Sequence, residues 1–168
     1  MTSRLGDLTR VDRVRRNHAL EHATITVVTE RHPSVFLSGR SNRKGFYIFG
    51  DIETAELQSA IGEALRRLRS GEAELAIHPR CGTNLAVAGI LSGVSAALAA
   101  QLRPRQNRFS YAVLAAIGAL MLAPGIGTEV QRHWTTLADT ADLRVGRVVR
   151  RRFPLVRASS HWVETHST

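Results

Sequence analysis

Two histidines and a glutamate near the start of the sequence have the spacing of a metal site. Residues 17–26 read NHALEHATIT and contain the motif His18-x-x-Glu21-His22. On a helix, side chains at i and i+4 share one face about 6 Å apart, so His18 and His22 can bind one ion. Glu21 lies beside that face, where a general base belongs. The motif is the inverted form of the zinc-protease helix motif. The alternative is a polar stripe on a surface helix.

A third protein ligand is needed to complete a two-histidine zinc site. The stretch HPRCGTN, residues 78–84, offers one. Cys81 is a good candidate because a thiolate binds Zn²⁺ well, and His78 is the competing ligand, an outer-sphere group or a proton shuttle. Thr83 and Asn84 could hydrogen-bond a substrate or orient a ligand. A cysteine packed beside an apolar segment is the ordinary alternative.

The first elements along the chain are predicted from hydrophobic periodicity. Apolar residues recur at helical spacing from about Thr9 to Thr29, and His32-Pro33 ends that helix because the residue before proline avoids the α region. Two strand-like runs follow, VFLS at 35–38 and FYIF at 46–49. The turn-rich segment 39–45 between them is predicted to be a hairpin loop. Its Ser38–Ser41 portion is expected to be a solvated turn, with a substrate-lining role as the alternative.

The second half of this domain is predicted in the same way. Asp51 is expected to cap a helix that reaches about Ser70, and Gly71 is a fitting stop. The run ELAIH at 74–78 is predicted to be a third strand. The order helix–strand–strand–helix–strand predicts an α+β fold, a small two-layer α/β sandwich. We assign residues 1–83 to this metal-binding domain.

Two long uncharged segments follow. No charged residue occurs from Cys81 to Leu102 or from Phe109 to Thr128. Each segment is long enough to cross the roughly 30 Å hydrocarbon core of a bilayer. We therefore predict a transmembrane helical hairpin over 84–128, with spans at 84–102 and 109–127. The alternative is a pair of buried helices in a soluble bundle.

The tail, residues 129–168, is basic and is predicted to return to the sheet. The run LRVGRVVR from residue 143 alternates apolar and basic residues, as a strand with one wet face would, and HWVET at 161–165 could be another strand. Arg150, Arg151 and Arg152 could contact anionic lipid headgroups. The remaining histidines, His32, His133, His161 and His166, have no partner spacing and are expected to be ordinary.

Charge and cysteine content limit the partners and the compartment. The net charge of +9 favours anionic partners, although Lys44 is the one lysine and the arginine bias resembles that of a GC-rich coding sequence. Nucleic acid is not the expected partner, since aromatic residues are few and no basic stretch alternates with them. One cysteine fits a reducing compartment, and from the charge of the first 20 residues we expect no cleavable signal peptide.

Arginine counts favour a cytoplasmic location for both termini in a multi-pass protein of the cell membrane. The loop between the two spans holds three arginines, whereas the outer flanks hold about seven. Positively charged flanks stay on the cytoplasmic side.

The paired motifs HALEH and HPRCGTN, followed by hydrophobic helices, resemble an uncharacterised bacterial membrane family. They also resemble the YqhQ-like proteins, predicted metal-dependent enzymes that carry analogous motifs. The ligand set is similar to that of S-ribosylhomocysteine lyase, whose fold belongs with the inverted-motif metallopeptidases. This resemblance implies metal ligands at His18, His22 and Cys81, with Glu21 as acid/base. The soluble lyase lacks membrane helices, so its substrate is not carried over.

The expected function is a membrane-anchored zinc metallohydrolase that acts on a peptide or an amphiphilic substrate near the membrane surface. A non-catalytic, metal-stabilised membrane module that binds a partner protein or anionic lipid is the first alternative, and it makes Glu21 dispensable. The second is a basic protein that binds nucleic acid or acidic lipid through its arginines.

Overall fold

The computed structural model describes residues 10–153 and 156–167 and has the α+β fold that the sequence predicts. The chain divides into two units. The sheet unit comprises the chain up to Ile77 and from Thr135 onward, and the helical unit comprises His78–Trp134. The sheet unit holds α1 (Arg10–Arg31), β1 (Ser38–Asn42), β2 (Gly45–Phe49), α2 (Thr54–Arg69), a 3₁₀ turn (Ala73–Ala76), β3 (Leu143–Phe153) and β4 (Val156–Ser167).

The four strands form one antiparallel sheet in the order β1-β2-β4-β3, and helices α1 and α2 pack on one of its faces. Buried apolar side chains from both layers form the core, among them Leu20, Phe46, Leu57 and Val163. The predicted two-layer arrangement is therefore confirmed, as is the return of the basic tail to the sheet. The tail strand β4 lies in the middle of the sheet and pairs with both β2 and β3.

Helix α1 begins at Arg10 and ends at Arg31, directly before His32-Pro33, as predicted. Thr9, the predicted start, lies outside the described residues. One broad face of the helix is buried, including the polar residues Asn17, Glu21 and His22. The sequence did not predict burial of so many polar groups, because a stripe of His, Glu and Asn is typical of a solvated helix face.

The first hairpin differs from its prediction. Strand β1 covers Ser38–Asn42 rather than 35–38, so the predicted loop over 39–45 is wrong. The connection is a tight turn at Arg43-Lys44, in which the Asn42 Oδ1 atom accepts the Lys44 backbone N–H at 2.8 Å. Gly45 follows with φ of 145°, a conformation that favours glycine. The polar run SGRSN has low strand propensity, and pairing with β2 overrides it.

The region around α2 contains two further differences. Asp51 does not cap α2; Glu53 occupies the cap position without a side-chain hydrogen bond. The predicted third strand at 74–78 is wrong, because Ala73–Ala76 form a 3₁₀ turn. Gly71, with φ of 99°, ends α2 as predicted and redirects the chain into this turn, which buries Leu75 and Ala76.

The helical unit consists of α3 (Gly82–Leu102) and α4 (Arg108–Val130), which pack on each other and are joined by a short loop. Helix α4 continues into a π-helical segment, Gln131–Thr135. Both helices are long and apolar enough to span a membrane. None of the 21 residues of α3, all of them described, is buried. A pair of buried helices would show the opposite pattern.

Candidate metal centre

Helix α1 brings His18, Glu21 and His22 together on its buried side. The centroids of the two imidazole rings lie 4.2 Å apart, with their planes at 61°. His22 and Glu21 are almost fully buried, whereas His18 is partly exposed. The expected i, i+4 pairing is therefore present, and it lies inside the sheet unit rather than on a solvated stripe.

Both imidazole rings are oriented by main-chain carbonyl groups. His18 Nδ1 lies 2.9 Å from the Thr135 carbonyl oxygen, and His22 Nδ1 lies 2.8 Å from that of Ala76. A carbonyl oxygen only accepts, so each ring donates from Nδ1. A neutral ring that donates from Nδ1 carries its lone pair on Nε2, the nitrogen that can bind a metal. Metal-ligating histidines in proteins are usually fixed in this way.

The Glu21 side chain lies against strand β1. Its Oε2 atom accepts a hydrogen bond from the Ser41 hydroxyl. Burial raises the pKa of the Glu21 carboxyl, while the Ser41 hydrogen bond and nearby His18 act in the opposite direction. A Cβ atom at Gly39 would lie 2.3 Å from Glu21 Oε1, so only glycine leaves room for the carboxylate here. A buried carboxyl with a raised pKa is suited to acid/base chemistry near neutral pH.

The other predicted site residues lie at the start of α3, in the helical unit. Cys81 is buried and is the N-cap of α3, where its Sγ atom accepts the Thr83 backbone N–H at 3.4 Å. A helix N-terminus favours negative charge, which suits a thiolate ligand. His78 Nδ1 accepts the Arg80 backbone N–H at 3.3 Å. A neutral His78 therefore carries its proton on Nε2, an arrangement that disfavours it as a ligand.

Gln131 holds this segment in place and was not singled out by the sequence. It is fully buried, and its side chain joins the end of α4 to the segment around the start of α3. Its Oε1 atom accepts the His78 backbone N–H at 2.9 Å, and its Nε2 atom donates to Asn84 Oδ1 at 2.7 Å. Asn84 in turn donates to the Pro79 carbonyl oxygen at 2.8 Å. Asn84 thus holds the loop that carries Cys81, and its predicted roles toward a substrate or ligand stay predictions.

The structure unites three of the predicted residues and adds others. His18, Glu21 and His22 share one face in the sheet unit, while His78, Cys81, Thr83 and Asn84 belong to the helical unit. A common site for His18, His22 and Cys81 is therefore a proposal. The sequence singled out Gly39 and Ser41 with a substrate-lining role as the alternative to a solvated turn, but it did not predict their contact with Glu21. The Ala76 and Thr135 carbonyl groups carry no sequence signal.

The class of protein is defined by an α+β sheet unit, in which His18 and His22 pair on α1, together with an apolar two-helix unit. A family model described as "Domain of unknown function (DUF6391)" matches residues 13–148, and the chain belongs to that family. A protein of Picosynechococcus sp., described as uncharacterized, is 43% identical over 135 residues, which are 73% of this chain and 65% of that relative. The chain thus spans slightly less than two thirds of that relative's length.

No solved structure matches the chain. The predicted resemblance to an uncharacterised bacterial family is thus confirmed at the level of the family. The matches name neither the YqhQ-like proteins nor an inverted-motif zinc enzyme, so the resemblance to these stays a prediction.

Proposed function

We propose that this protein is a zinc-dependent hydrolase-like protein whose metal is held by His18, His22 and Cys81. The observation that carries the proposal is the pair of Nδ1 hydrogen bonds to main-chain carbonyl groups, which directs the Nε2 atoms of both rings to a ligand role. Two imidazoles and one thiolate make a donor set that could hold a metal ion, and it suits zinc.

Cys81 is the better third ligand on chemical grounds. The Ala76 carbonyl oxygen accepts the hydrogen bond from His22. Cys81 follows Ala76 by only five residues, so the chain between them can extend about 18 Å at most. His78 uses Nδ1 to accept a backbone N–H, whereas the Cys81 sulfur sits at a helix N-terminus. Three protein ligands leave the open coordination position of a catalytic zinc site.

Glu21 is the acid/base residue of the proposal. A zinc ion bound by this set supplies Lewis acidity toward water and a substrate carbonyl. Glu21 would take up a proton from water at its carboxylate, and burial, which raises the pKa of this carboxyl, favours its holding that proton. The Ser41 hydroxyl fixes the Oε2 atom, and Gly39 leaves space at Oε1. The proposed substrate is a peptide or an amphiphile near the membrane surface.

The membrane part of the proposal rests on α3 and α4. Both helices are long and apolar enough to cross a bilayer. We propose that both span the cell membrane as a hairpin, with the chain on either side of them in the cytoplasm. The loop arginines number three and the flanking arginines about seven, which supports this orientation.

Metal content of the full chain in detergent tests the ligands. Elemental mass spectrometry is expected to find about one zinc per chain in the wild type, since one donor set is proposed. His22→Ala and Cys81→Ser should lose it, and His166→Ala, which changes an exposed histidine outside the donor set, should retain it. Absence of stoichiometric metal in wild type purified without chelators would overturn the proposal. Retention in Cys81→Ser would remove Cys81 from the ligand set.

A second candidate is a metal-stabilised module without catalysis. Ala76 and Thr135, whose carbonyl groups are bound by the two histidines, flank the helical unit in sequence. A structural metal ion bound by these histidines would stabilise the chain near Ala76 and Thr135, and it would not require Glu21 as a general base. Glu21→Gln separates the candidates, because it should keep zinc in both and abolish turnover in a hydrolase screen only if the protein is an enzyme.

A further inference from the structure

An aromatic cluster lies on the outward face of the sheet, opposite α1 and α2. Ile48 and Val163 point toward the helices and are fully buried. Side chains alternate along a strand, so Tyr47, Phe49 and Trp162 point the other way. The ring centroids of Tyr47 and Trp162 lie 4.6 Å apart, and those of Tyr47 and Phe49 lie 5.9 Å apart. All three side chains are partly exposed.

Arginines from both edge strands surround this cluster. Arg40 on β1 pairs in register with Tyr47, and Arg151 on β3 pairs with Ser160, two residues from Trp162. Arg147 forms an ion pair with Glu164 at 3.3 Å, so these two charges cancel and the net positive charge of the face comes from Arg40 and Arg151. The face therefore combines a central aromatic surface with a positive rim, although these residues are far apart in sequence.

We propose that this aromatic–arginine face (Tyr47, Phe49, Trp162, Arg40, Arg147 and Arg151) binds the headgroup region of a bilayer that contains anionic phospholipid. Tyrosine and tryptophan favour the membrane–water interface because each ring has an apolar body and a polar group. Arginine binds phosphate through its planar set of donors. The inference rests on the membrane part of the proposed function, since the apolar helices of the same chain keep lipid at a high local concentration.

Lipid fits this face better than single-stranded nucleic acid does. Base recognition on a sheet uses aromatic rings whose faces each receive a base. Here Tyr47 packs against both other rings, so its faces are engaged within the protein. Tyrosine and tryptophan need no free ring face to act as interfacial anchors, because each combines an apolar ring with a polar group.

Trp162 reports directly on this face. The chain has two tryptophans, so Trp134→Phe leaves Trp162 as the one fluorophore of its type. The full chain is reconstituted in nanodiscs of phosphatidylcholine with or without phosphatidylglycerol. Trp162 emission should shift to the blue, and its quenching by brominated lipid should increase, in the discs that contain phosphatidylglycerol. High salt should reverse both changes, because charge attraction is screened.

A matched pair of variants isolates the arginines of the face. Replacing Arg40, Arg147 and Arg151 with glutamine should abolish the phosphatidylglycerol-dependent shift. The same replacement of Arg10, Arg13 and Arg66, which lie on α1 and α2, changes the net charge equally and should leave the shift intact.

Three outcomes overturn the proposal. The first is identical Trp162 emission and quenching in both kinds of disc, and the second is stronger quenching by an oligothymidylate than by lipid. The third is a shift that depends on protein concentration rather than on lipid, which would indicate a second copy of the chain on this face. Failure of the chain to enter nanodiscs would instead contradict the membrane part of the proposed function.

Discussion

The sheet unit and the helical unit place their apolar residues in opposite ways. In the sheet unit, Leu20, Phe46 and Leu57 are fully buried between the two layers. In the helical unit, Leu85 and Leu102 of α3 are 78% and 79% exposed. The sheet unit therefore buries its apolar side chains in a core of its own, whereas the helical unit leaves many of them exposed on helices long and apolar enough to span a membrane.

Buried polar residues, by contrast, occur in both units, and this is informative about function. The sheet unit buries Glu21 and His22, and the helical unit buries Gln131. Burial of a polar group is costly unless it is hydrogen-bonded, and each of these three has a hydrogen-bond partner. Buried polar groups thus mark the candidate site and the loop that carries Cys81, in both units.

Removing a core ring should have the largest effect. Phe46→Ala is expected to lower the free energy of unfolding of the sheet unit by about 3–5 kcal/mol, because it leaves a cavity. Phe109, which is 79% exposed on α4, is the matched control, and Phe109→Ala should leave this stability unchanged. Urea titration in detergent, followed by Trp162 fluorescence in the Trp134→Phe background, measures both. Equal losses in the two variants would contradict the comparison.

A charge on the outward surface of α3 should have the next largest effect. Val94 is 53% exposed. Val94→Arg is expected to make membrane insertion less favourable by about 2.5–3.5 kcal/mol. The fraction of protein that resists alkaline carbonate extraction should fall accordingly. Val11, which is 63% exposed on α1, offers the control, and Val11→Arg should leave extraction unchanged. An unchanged fraction in Val94→Arg would argue against a membrane span at α3.

A methyl group at Gly39 should affect the site more than the fold. Gly39→Ala places its Cβ atom against Glu21 and should displace the carboxylate. Turnover, in the zinc-dependent assay that the proposed function predicts, is expected to fall by as much as about 10²-fold, the typical contribution of an acid/base group. Zinc content should stay at the wild-type value, because the ligands are untouched. Loss of zinc in this variant would mean that β1 supports the ligands themselves.

The ion pairs of Arg31 should contribute the smallest effect, at acid pH. Hydrogen bonds from Arg31 lower the pKa of Glu56 and of Glu63 below the ordinary value of 4.5. Lowered folded pKa values stabilise the fold above the unfolded pKa, and this contribution is lost as the pH falls through the folded values. Thermal midpoints measured from neutral pH down to about pH 3 should fall less steeply in Arg31→Gln than in wild type. Parallel curves would show that these exposed pairs contribute nothing measurable.

Much of the helical structure could be predicted from the sequence because its signals are local. His32-Pro33 ends α1, and Gly71 ends α2, for reasons of backbone geometry. The strands were less predictable, since β1 has a polar sequence and its position depends on pairing with Phe46 and Tyr47 of β2. The run at 74–78 has a strand-like sequence, but it has no place in the sheet, because β4 pairs with β2 instead. The pairing of strands remote in sequence could not be predicted from local patterns.

For the candidate site, the sequence by itself determined the spacing of His18, Glu21 and His22, because helical periodicity places them on one face. It also determined the two apolar segments, because length and composition suffice to recognise them. Only the tertiary structure decided that the histidines donate to distant carbonyl groups and that Ser41 binds Glu21. It also brought Trp162 beside Tyr47. These contacts join residues remote in sequence, and their energies depend on packing that no local pattern encodes.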